Sequence, residues 1–275
     1  MNDFLSSKTN KILGIDSIFI YLIVYLLVSI YLNDFSIFLF YIVLLAILLA
    51  YFLCYLLLNP TEILVPYNFI IESFYEKKVF YSEEEKKKIF PTSEILERNW
   101  ESIRNEFFAS VRGKWNQLDN IGKKFVTQDE TFWRGWKSFV FRSFDKDNEE
   151  NMKSCPTLTR ILKNDPNIST AFFSILEPWK TIPSHYGPFK GILRYHLSLK
   201  IPPKNSGDCF ISVDGETYDW KDGEGILFDE SYKHFVKNDT PYSRVILFID
   251  VRRPVSFPWI NNFLLYLMSI SPYNS

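Results

Sequence analysis

Two long apolar runs near the amino terminus constrain the fold of this 275-residue chain more than any other feature. Ser17–Leu32 has 16 residues without a charge, and Phe35–Leu58 has 24 more after a polar Asn33-Asp34 step. About 20 apolar residues in a helix cover the hydrocarbon thickness of a bilayer, so the runs predict a transmembrane helical hairpin. The alternative is a pair of buried helices in a soluble protein, although buried helices seldom run this long without a charge.

The basic residues around the two runs predict their orientation. Lys8 and Lys11 precede the first run, and Lys77 and Lys78 follow the second at a distance. The turn between the runs contains neither Lys nor Arg. Because Lys and Arg concentrate on the cytoplasmic side of membrane segments, both ends are expected in the cytoplasm. No small-residue cleavage site separates the runs, which argues against a signal peptide.

Composition excludes some classes of function. The net charge is −1, so the chain lacks the basic balance typical of proteins that bind nucleic acid. Its three cysteines, Cys54, Cys155 and Cys209, form no Cys-x-x-Cys pair. An odd number of widely spaced cysteines argues against a disulfide framework or a zinc ribbon and favours a reducing compartment.

The distribution of apolar and charged residues divides the chain into four segments. Residues 1–60 are predicted to form the anchor, 61–92 an interfacial linker, 93–256 the main folded domain and 257–275 a carboxyl-terminal interfacial segment. Charged residues 83–88 of the linker are expected on a solvated face. For the carboxyl-terminal run, a helix packed against the barrel is an equally open interpretation.

The main folded domain is predicted to begin with a helical part, 93–165. Ser93–Val111 has apolar residues at helical spacing, with Ser93 as the expected cap, and 151–164 predicts a shorter helix. The part from 170 to 254 contains short runs rich in β-branched and aromatic residues, separated by turn signals such as Asp214-Gly215. Many short strands without intervening helices predict a mainly β fold of the jelly-roll type, a double-stranded β-helix. The predicted strands are Ala171–Leu176, Ile192–Ile201, Cys209–Val213, Glu216–Trp220, Gly225–Phe228, His234–Lys237 and Arg244–Val251.

The only three histidines of the chain, His185, His196 and His234, all fall in this β-rich part. Two imidazoles from separate strands of a barrel can bind a metal ion and leave coordination positions open, as in non-haem Fe(II) oxygenases. Spacing alone does not decide between such a site and ordinary buried histidines.

Two arginines extend the hypothesis. Arg194 lies two residues before His196 and therefore on the same face of one strand, and Arg244 begins the last strong strand. A buried guanidinium requires an anion, and a bound dicarboxylic acid beside a metal would supply it. The alternative is a structural pair with Asp229 or Asp250.

At this point the sequence resembles a known family, the aspartyl/asparaginyl β-hydroxylases, which are 2-oxoglutarate oxygenases. The motifs that carry the resemblance are FSILEP, HYGP, LRYHLSLKIP, WKDGEGILFDESYKH and RVILFIDVRRP, between Ser174 and Pro254. Upstream, TEILVPYN, LERNWESIRNE and GWKSF resemble the bacterial branch that hydroxylates an acyl chain of lipid A at its 2-position.

The resemblance implies a membrane-bound dioxygenase that uses Fe(II), 2-oxoglutarate and O2 and acts on lipid A or a related membrane lipid, at the inner membrane and facing the cytoplasm. His185 and His234 would be the iron ligands, and Arg244 would bind the distal carboxylate of 2-oxoglutarate. Ser174, Arg194 and His196 match family positions that line the co-substrate pocket.

One position departs from the lipid A branch. The acidic residue that follows the first ligand histidine by two positions in many oxygenases is replaced here by Gly187. Peptide-hydroxylating members of the family also have glycine there, so hydroxylation of Asp or Asn in a peptide is the alternative function. A barrel without chemistry is a third possibility, against which the intact histidines and arginines argue. Asp208, Asp214 and Asp229 are the acids considered as a third ligand.

Overall fold

The computed structural model describes residues 21, 23–25, 27–28, 35–58, 60–75, 77–111, 119–120 and 135–270, which fall into two compact units, Met1–Asn59 and Pro60–Ser275. The helices are α1 Phe35–Leu58, α2 Pro60–Phe74, α3 Glu83–Ile89, α4 Thr92–Arg98, α5 Trp100–Val111, α6 Glu149–Lys153, α7 Pro156–Asn164 and α8 Pro258–Ile270. The strands are β1 Asp119–Asn120, β2 Trp136–Ser143, β3 Lys146–Asp147, β4 Ile168–Leu176, β5 Lys180–His185, β6 Ile192–Lys200, β7 Cys209–Val213, β8 Glu216–Asp219, β9 Gly225–Phe228, β10 His234–Asn238 and β11 Arg244–Arg252.

In the first unit, α1 covers the whole second apolar run. Within the described residues, no helix meets the requirements of length and apolarity for crossing a membrane. The predicted transmembrane hairpin is therefore not confirmed, and most of its first run and its turn lie outside the described residues.

The second unit is built on two antiparallel sheets. The larger has the strand order β1-β2-β4-β11-β6-β9, with β3 paired to β2, and the smaller has the order β5-β10-β7-β8. From β4 to β11, consecutive strands lie in alternate sheets, except for the hairpin of β7 and β8. Eight strands in two four-stranded layers form a jelly roll, so the predicted mainly β architecture is confirmed.

The helical part packs on the outer face of the larger sheet. Leu96, Ile103 and Phe107 of α4 and α5 belong to one buried cluster with the sheet, and Phe107 meets Phe173 of β4 edge to face at 5.1 Å between ring centroids. Because β4 has this cluster on one side and the interior of the sandwich on the other, all nine of its residues are buried. The helices thereby fix the sheet that supplies half of the site described below.

The segments before β4 differ from the prediction in several ways. The part expected to be helical, 93–165, also contains strands β2 and β3, and the helix expected at 151–164 is divided into α6 and α7. The periodic stretch expected as one helix from Ser93 is divided at Asn99 into α4 and α5, and Ser93 is a buried residue inside α4 that does not cap it. The charged run 83–88 forms α3, capped by Ser82, but Lys86 is fully buried and contacts Glu97 and the carbonyl of Gly225. The expected solvated face is wrong for this lysine, because neighbouring carboxylate and carbonyl oxygens compensate its charge.

The two segments predicted to be interfacial contain α2 and α8, which pack together. One face of α2 and one face of α8 are buried in a cluster with Phe189 and Ile192. Phe189 belongs to the loop that follows His185 of β5. The opposite faces of both helices are exposed. The buried face of α8 agrees with the alternative prediction for the carboxyl-terminal run, a helix packed against the barrel.

Candidate active site

Two of the three histidines face each other on neighbouring strands of the smaller sheet. His234 of β10 lies opposite His185 of β5 in the ladder, and their ring centroids are 4.1 Å apart. The Nδ1 atom of His185 is 2.7 Å from the carbonyl oxygen of Pro183, and that of His234 is 2.8 Å from the carbonyl of Tyr232. A hydrogen bond from each Nδ1–H to a carbonyl sets the tautomer in which Nε2 carries the lone pair, and Nε2 is then the atom that can bind a metal ion.

The environment keeps both imidazoles neutral. Burial, assisted by the proximity of His185 and Arg194, lowers the pKa of His234 to about 3. Burial also lowers the pKa of His185, although the hydrogen bond to Pro183 opposes that shift. Neutral imidazole is the form that coordinates metals, so the pair is prepared for a metal ion at neutral pH.

The pair lies on the wall of a cavity between the two sheets. The cavity is partly open to solvent. The larger sheet contributes Ser174, Arg194, His196 and Arg244 to the same cavity, so all six residues singled out from the sequence line it. The other lining residues are mostly apolar or aromatic: Trp136, Ile182, Ile211, Phe228, Val236 and Phe248.

Arg244 is a buried cation without a carboxylate partner in the described part of the chain. The residue is 1% exposed, its Nη2 lies 3.3 Å from Ser174 Oγ, and its guanidinium stands 4.9 Å over the ring of Trp220. Its Nε has no hydrogen-bond partner among the described residues. Burial lowers the pKa of Arg244 to about 10, so it still carries its charge at neutral pH. Such a group fits an anionic ligand, because an uncompensated buried charge is costly.

Arg194 differs, since protein carboxylates already compensate its charge. Its guanidinium contacts Glu230 at 2.5 Å and Asp250 at 2.9 Å, and it stacks over Phe248 at 4.1 Å. Burial lowers the pKa of Arg194, but Asp250 and Glu230 more than offset that effect and raise it. The structural pair considered from the sequence is therefore present here, with Asp250, while Arg244 has no such pair.

His196 lies deeper, among the rings of Trp220, Phe228 and Phe248. Burial, with nearby Arg244, holds its pKa well below the ordinary value, so it is neutral. Neither of its ring nitrogens has a hydrogen-bond partner in the part of the chain that the structure describes. Buried polar atoms are normally paired, so these nitrogens also fit a polar ligand in the cavity.

The position of Gly187 explains why no acid follows the first histidine by two residues. A Cβ atom placed on Gly187 would overlap the buried carboxylate of Glu230, and Gly187 N–H donates to the Glu230 carbonyl at 2.9 Å. Glu230 therefore fills the space into which a side chain at 187 would have to extend.

The three acids considered as a third ligand are held elsewhere. Asp208 pairs with Lys237, Asp214 with Lys77 and Asp229 with Arg253. Among the described residues, no group of three His, Cys, Asp or Glu side chains is placed to hold a metal ion. The site thus offers two imidazoles.

Sequence reasoning did not identify Trp136, Trp220 and Glu230 as site residues. Trp136 Nε1 donates to Ser174 Oγ at 2.8 Å, and Trp220 supplies the ring beneath Arg244. All three lie inside motifs that carried the family resemblance, and Glu230 precedes His234 by four residues. Their roles depend on which strands are neighbours, a property that the motifs do not contain.

Comparison with known proteins identifies the family. The sequence profile of the family described as aspartyl/asparaginyl beta-hydroxylase matches residues 97–254, more than half of the chain and all of the cavity residues named above. The chain belongs to the aspartyl/asparaginyl β-hydroxylase family.

Its relatives in this family act on different kinds of molecule, according to their names. The chain is 37% identical to the ornithine lipid ester-linked acyl 2-hydroxylase of Rhizobium tropici over 191 residues, which cover 67% of this chain and 66% of that protein. It is 31% identical to the human aspartyl/asparaginyl beta-hydroxylase over 170 residues, 59% of this chain and 21% of that protein. The match thus spans slightly less than two thirds of the first relative and about a fifth of the second.

A solved structure resembles it only remotely. The prolyl-4-hydroxylase of Pseudomonas putida aligns with 57% of this chain and 88% of its own, at 13% identity and a TM-score of 0.37. A TM-score this low does not establish a shared fold.

Proposed function

We propose that this family member is an Fe(II)- and 2-oxoglutarate-dependent dioxygenase that hydroxylates an acyl chain of a membrane lipid at its 2-position. One observation carries the proposal. Two neutral imidazoles, each with its Nδ1 bonded to a backbone carbonyl, share a cavity with a buried guanidinium that has no carboxylate partner among the described residues. A metal ion and a dicarboxylate together complement this arrangement.

The donor set fits ferrous iron. Imidazole nitrogens suit Fe(II), and sites for such oxygenases keep coordination positions open. When bound, Fe(II) with 2-oxoglutarate and O2 supplies the oxidising power that converts a C–H bond to C–OH, while 2-oxoglutarate is converted to succinate and CO2.

The chain's own residues would bind and orient the metal ion and 2-oxoglutarate. His185 and His234 would hold the metal, and Arg244 would bind the far carboxylate of 2-oxoglutarate, with Ser174 between Arg244 and Trp136. Apolar side chains such as Val236 and Phe248 line the cavity and keep bulk water away from the reacting centre.

The substrate class rests on the relative from Rhizobium tropici, whose name specifies an acyl 2-hydroxylase of a lipid. Ornithine lipid is therefore a candidate beside lipid A. Such a substrate and the lysines that flank the apolar runs support a location at the inner membrane, with the catalytic unit facing the cytoplasm. Cell fractionation with protease accessibility from either side tests that location.

Hydroxylation of Asp or Asn in a peptide is the second candidate. It is favoured by Gly187 and by the 31% identity to the human enzyme. The acyl-chain and peptide products differ in the molecule that gains oxygen.

Mass spectrometry of cells with and without the protein separates the two candidates. We expect one added oxygen atom on a lipid acyl chain in cells with the protein, and its loss in the His234→Ala variant. The purified full-length chain, loaded with Fe(II) under anaerobic conditions, should form succinate in step with hydroxylated lipid. Oxygen added to a peptide, or turnover that survives in His234→Ala, would contradict the proposal.

A further inference from the structure

Helices α2 and α8 bury one face in their shared core and also expose several large apolar side chains. α8 contains no charged residue. The exposed large side chains on the two helices, each more than half exposed, form what is called here the α2–α8 face: Phe69, Ile70, Phe74, Trp259, Phe263 and Tyr266. Large exposed apolar patches usually mark an interaction site.

The same two helices hold the loop that follows His185. Asn68, next to Phe69 in α2, donates from Nδ2 to the carbonyl of Pro188 at 2.7 Å, and its Oδ1 accepts from the Lys190 N–H at 2.8 Å. From α8, Asn261 Nδ2 donates to the carbonyl of Gly191 at 2.8 Å. The α2–α8 face is therefore fixed to residues 186–191, which begin directly after a proposed metal ligand.

Chain connectivity indicates what covers this face. Only Asn59 separates Pro60 of α2 from Leu58, the last residue of the charge-free helix α1. The described side chains of α1 are also mostly exposed, among them Phe40, Ile47 and Tyr51. A helix with apolar side chains all round requires an apolar environment, and α2 begins one residue after such a helix ends.

The composition of the face indicates a lipid environment as well. Trp, Tyr and Phe on amphipathic helices are typical of side chains that lie at the boundary of headgroups and acyl chains. The carboxylate of Glu72 on α2 is compensated by Lys190 at 3.1 Å. The face is thus compatible with anionic headgroups, which uncompensated carboxylates would repel.

We propose that the α2–α8 face docks on a lipid bilayer and thereby presents the histidine cavity to membrane lipids. This inference rests on the proposed function for its substrate, but the surface itself is tested separately. An acyl chain in a bilayer is reached most directly by an enzyme whose cavity is held at the bilayer surface, since tethering raises the effective concentration of substrate.

The experiment reports the environment of single positions in the full-length chain. An environment-sensitive fluorophore is attached at Phe74→Cys, Trp259→Cys or Phe263→Cys, and the chain is reconstituted into vesicles of phosphatidylethanolamine and phosphatidylglycerol. Matched controls are Ile95→Cys and Phe108→Cys, which replace exposed apolar residues on α4 and α5. The parent chain, labelled in the same way, gives the background from native cysteines.

We expect blue-shifted emission and quenching by brominated acyl chains at the three face positions and at neither control. Emission typical of water at position 259 would overturn the proposal. Shielding without lipid quenching, together with cross-linking between two copies of the chain, would show that the face is a dimer interface and would also overturn it.

A functional measurement separates this inference from the proposed function. The double variant Phe74→Ser/Trp259→Ser should lose roughly tenfold in hydroxylation of vesicle lipid, because docking supplies effective concentration. Its activity on detergent-dispersed lipid should equal that of the parent chain. Face positions that enter the bilayer in a chain without lipid hydroxylation would refute the function and leave the docking surface standing. Hydroxylation of lipid by a chain whose face positions remain in water would refute the docking surface and support the proposed function.

Discussion

Arg194 and Arg244 line one cavity, yet the protein compensates their charges in different ways. Two buried carboxylates hold Arg194, whereas Arg244 contacts a serine hydroxyl and an indole ring. A guanidinium held by protein carboxylates contributes to the fold. One without them is available to a ligand.

This contrast gives a prediction for two matched substitutions. Arg194→Met leaves Glu230 and Asp250 as unpaired buried acids and should reduce the free energy of unfolding by about 3 to 5 kcal/mol. Arg244→Met removes an uncompensated charge and should change the free energy of unfolding by less than about 1 kcal/mol. It should instead raise the KM for 2-oxoglutarate at least tenfold, since charged hydrogen bonds contribute about 1.5 to 3 kcal/mol each.

Denaturant unfolding and succinate formation measure the two effects. The assignment would be reversed if Arg244→Met unfolded the chain and Arg194→Met only weakened the binding of 2-oxoglutarate.

A second prediction concerns Gly187. Gly187→Asp would restore the acid that many oxygenases have at this place, but its Cβ overlaps the Glu230 carboxylate. We expect the variant to unfold at a lower temperature and to gain no activity, because overpacking of a buried site costs about 1 to 3 kcal/mol. Gly187→Asp/Glu230→Ala should recover part of the loss. Equal melting temperatures for the single variant and the parent would refute the overlap.

A third prediction concerns thiol reactivity. Burial raises the pKa of Cys155 and of Cys209 to about 11. Because the thiolate is the reactive form, about one molecule in a thousand carries it at pH 8. Iodoacetamide should therefore modify both residues slowly in the native chain and rapidly after denaturation, as measured by peptide mass spectrometry. Raising the pH towards 11 should accelerate the native reaction. Rapid modification of native Cys155 at pH 8 would contradict this account.

At the scale of elements, strand prediction succeeded for most strands from Ala171 onward, whereas β2 was missed because its segment was assigned to the helical part. β7 and β9 have the predicted bounds, and β4, β6, β10 and β11 differ from theirs by a few residues at the ends. β5 was missed because it contains Pro183, and proline usually interrupts a strand. β5 is an edge strand, and the ladder with β10 shifts register between His234 and Val236. Proline is tolerated in such a place, and here its carbonyl accepts from His185.

Helix periodicity gave the position of the helical part but missed the burial of Lys86. Periodicity assigns residues to faces of one helix, whereas Lys86 is buried by contacts with α4 and β9, far away in sequence. The same limit applies to the site. The histidines and arginines could be recognised by their chemistry, but the fact that Glu230 occupies the space beside Gly187 depends on packing.

Lys86 and its neighbour Lys87 provide the prediction at this scale. Lys86→Met leaves Glu97 and the Gly225 carbonyl without their shared donor and should reduce the free energy of unfolding by about 2 to 3 kcal/mol. Lys87 is an exposed lysine paired with Glu94, so Lys87→Met should leave the free energy of unfolding nearly unchanged. Denaturant titration of the two variants decides the matter. Similar losses for both would show that α3 is held by its surface charges.

At the scale of the whole catalytic unit, the two sheets supply different parts of the site. The smaller sheet carries His185 and His234, and the larger carries Ser174, His196 and Arg244. A dicarboxylate that reaches both a metal on the histidines and the guanidinium of Arg244 would join the sheets across the cavity. Metal and 2-oxoglutarate are therefore expected to stabilise the fold cooperatively.

Thermal unfolding of the full-length chain tests that cooperativity under anaerobic conditions. A ligand present at 100 times its Kd adds about 2.7 kcal/mol, which is several degrees for a unit of this size. Fe(II) alone should raise the melting temperature, and 2-oxoglutarate should raise it further only when Fe(II) is present. His234→Ala should lose both increments, while Arg244→Met should keep the first and lose the second. If 2-oxoglutarate stabilised the metal-free chain as much as the loaded one, the dicarboxylate would not join the sheets. Arg244 would then bind it independently of the histidine pair.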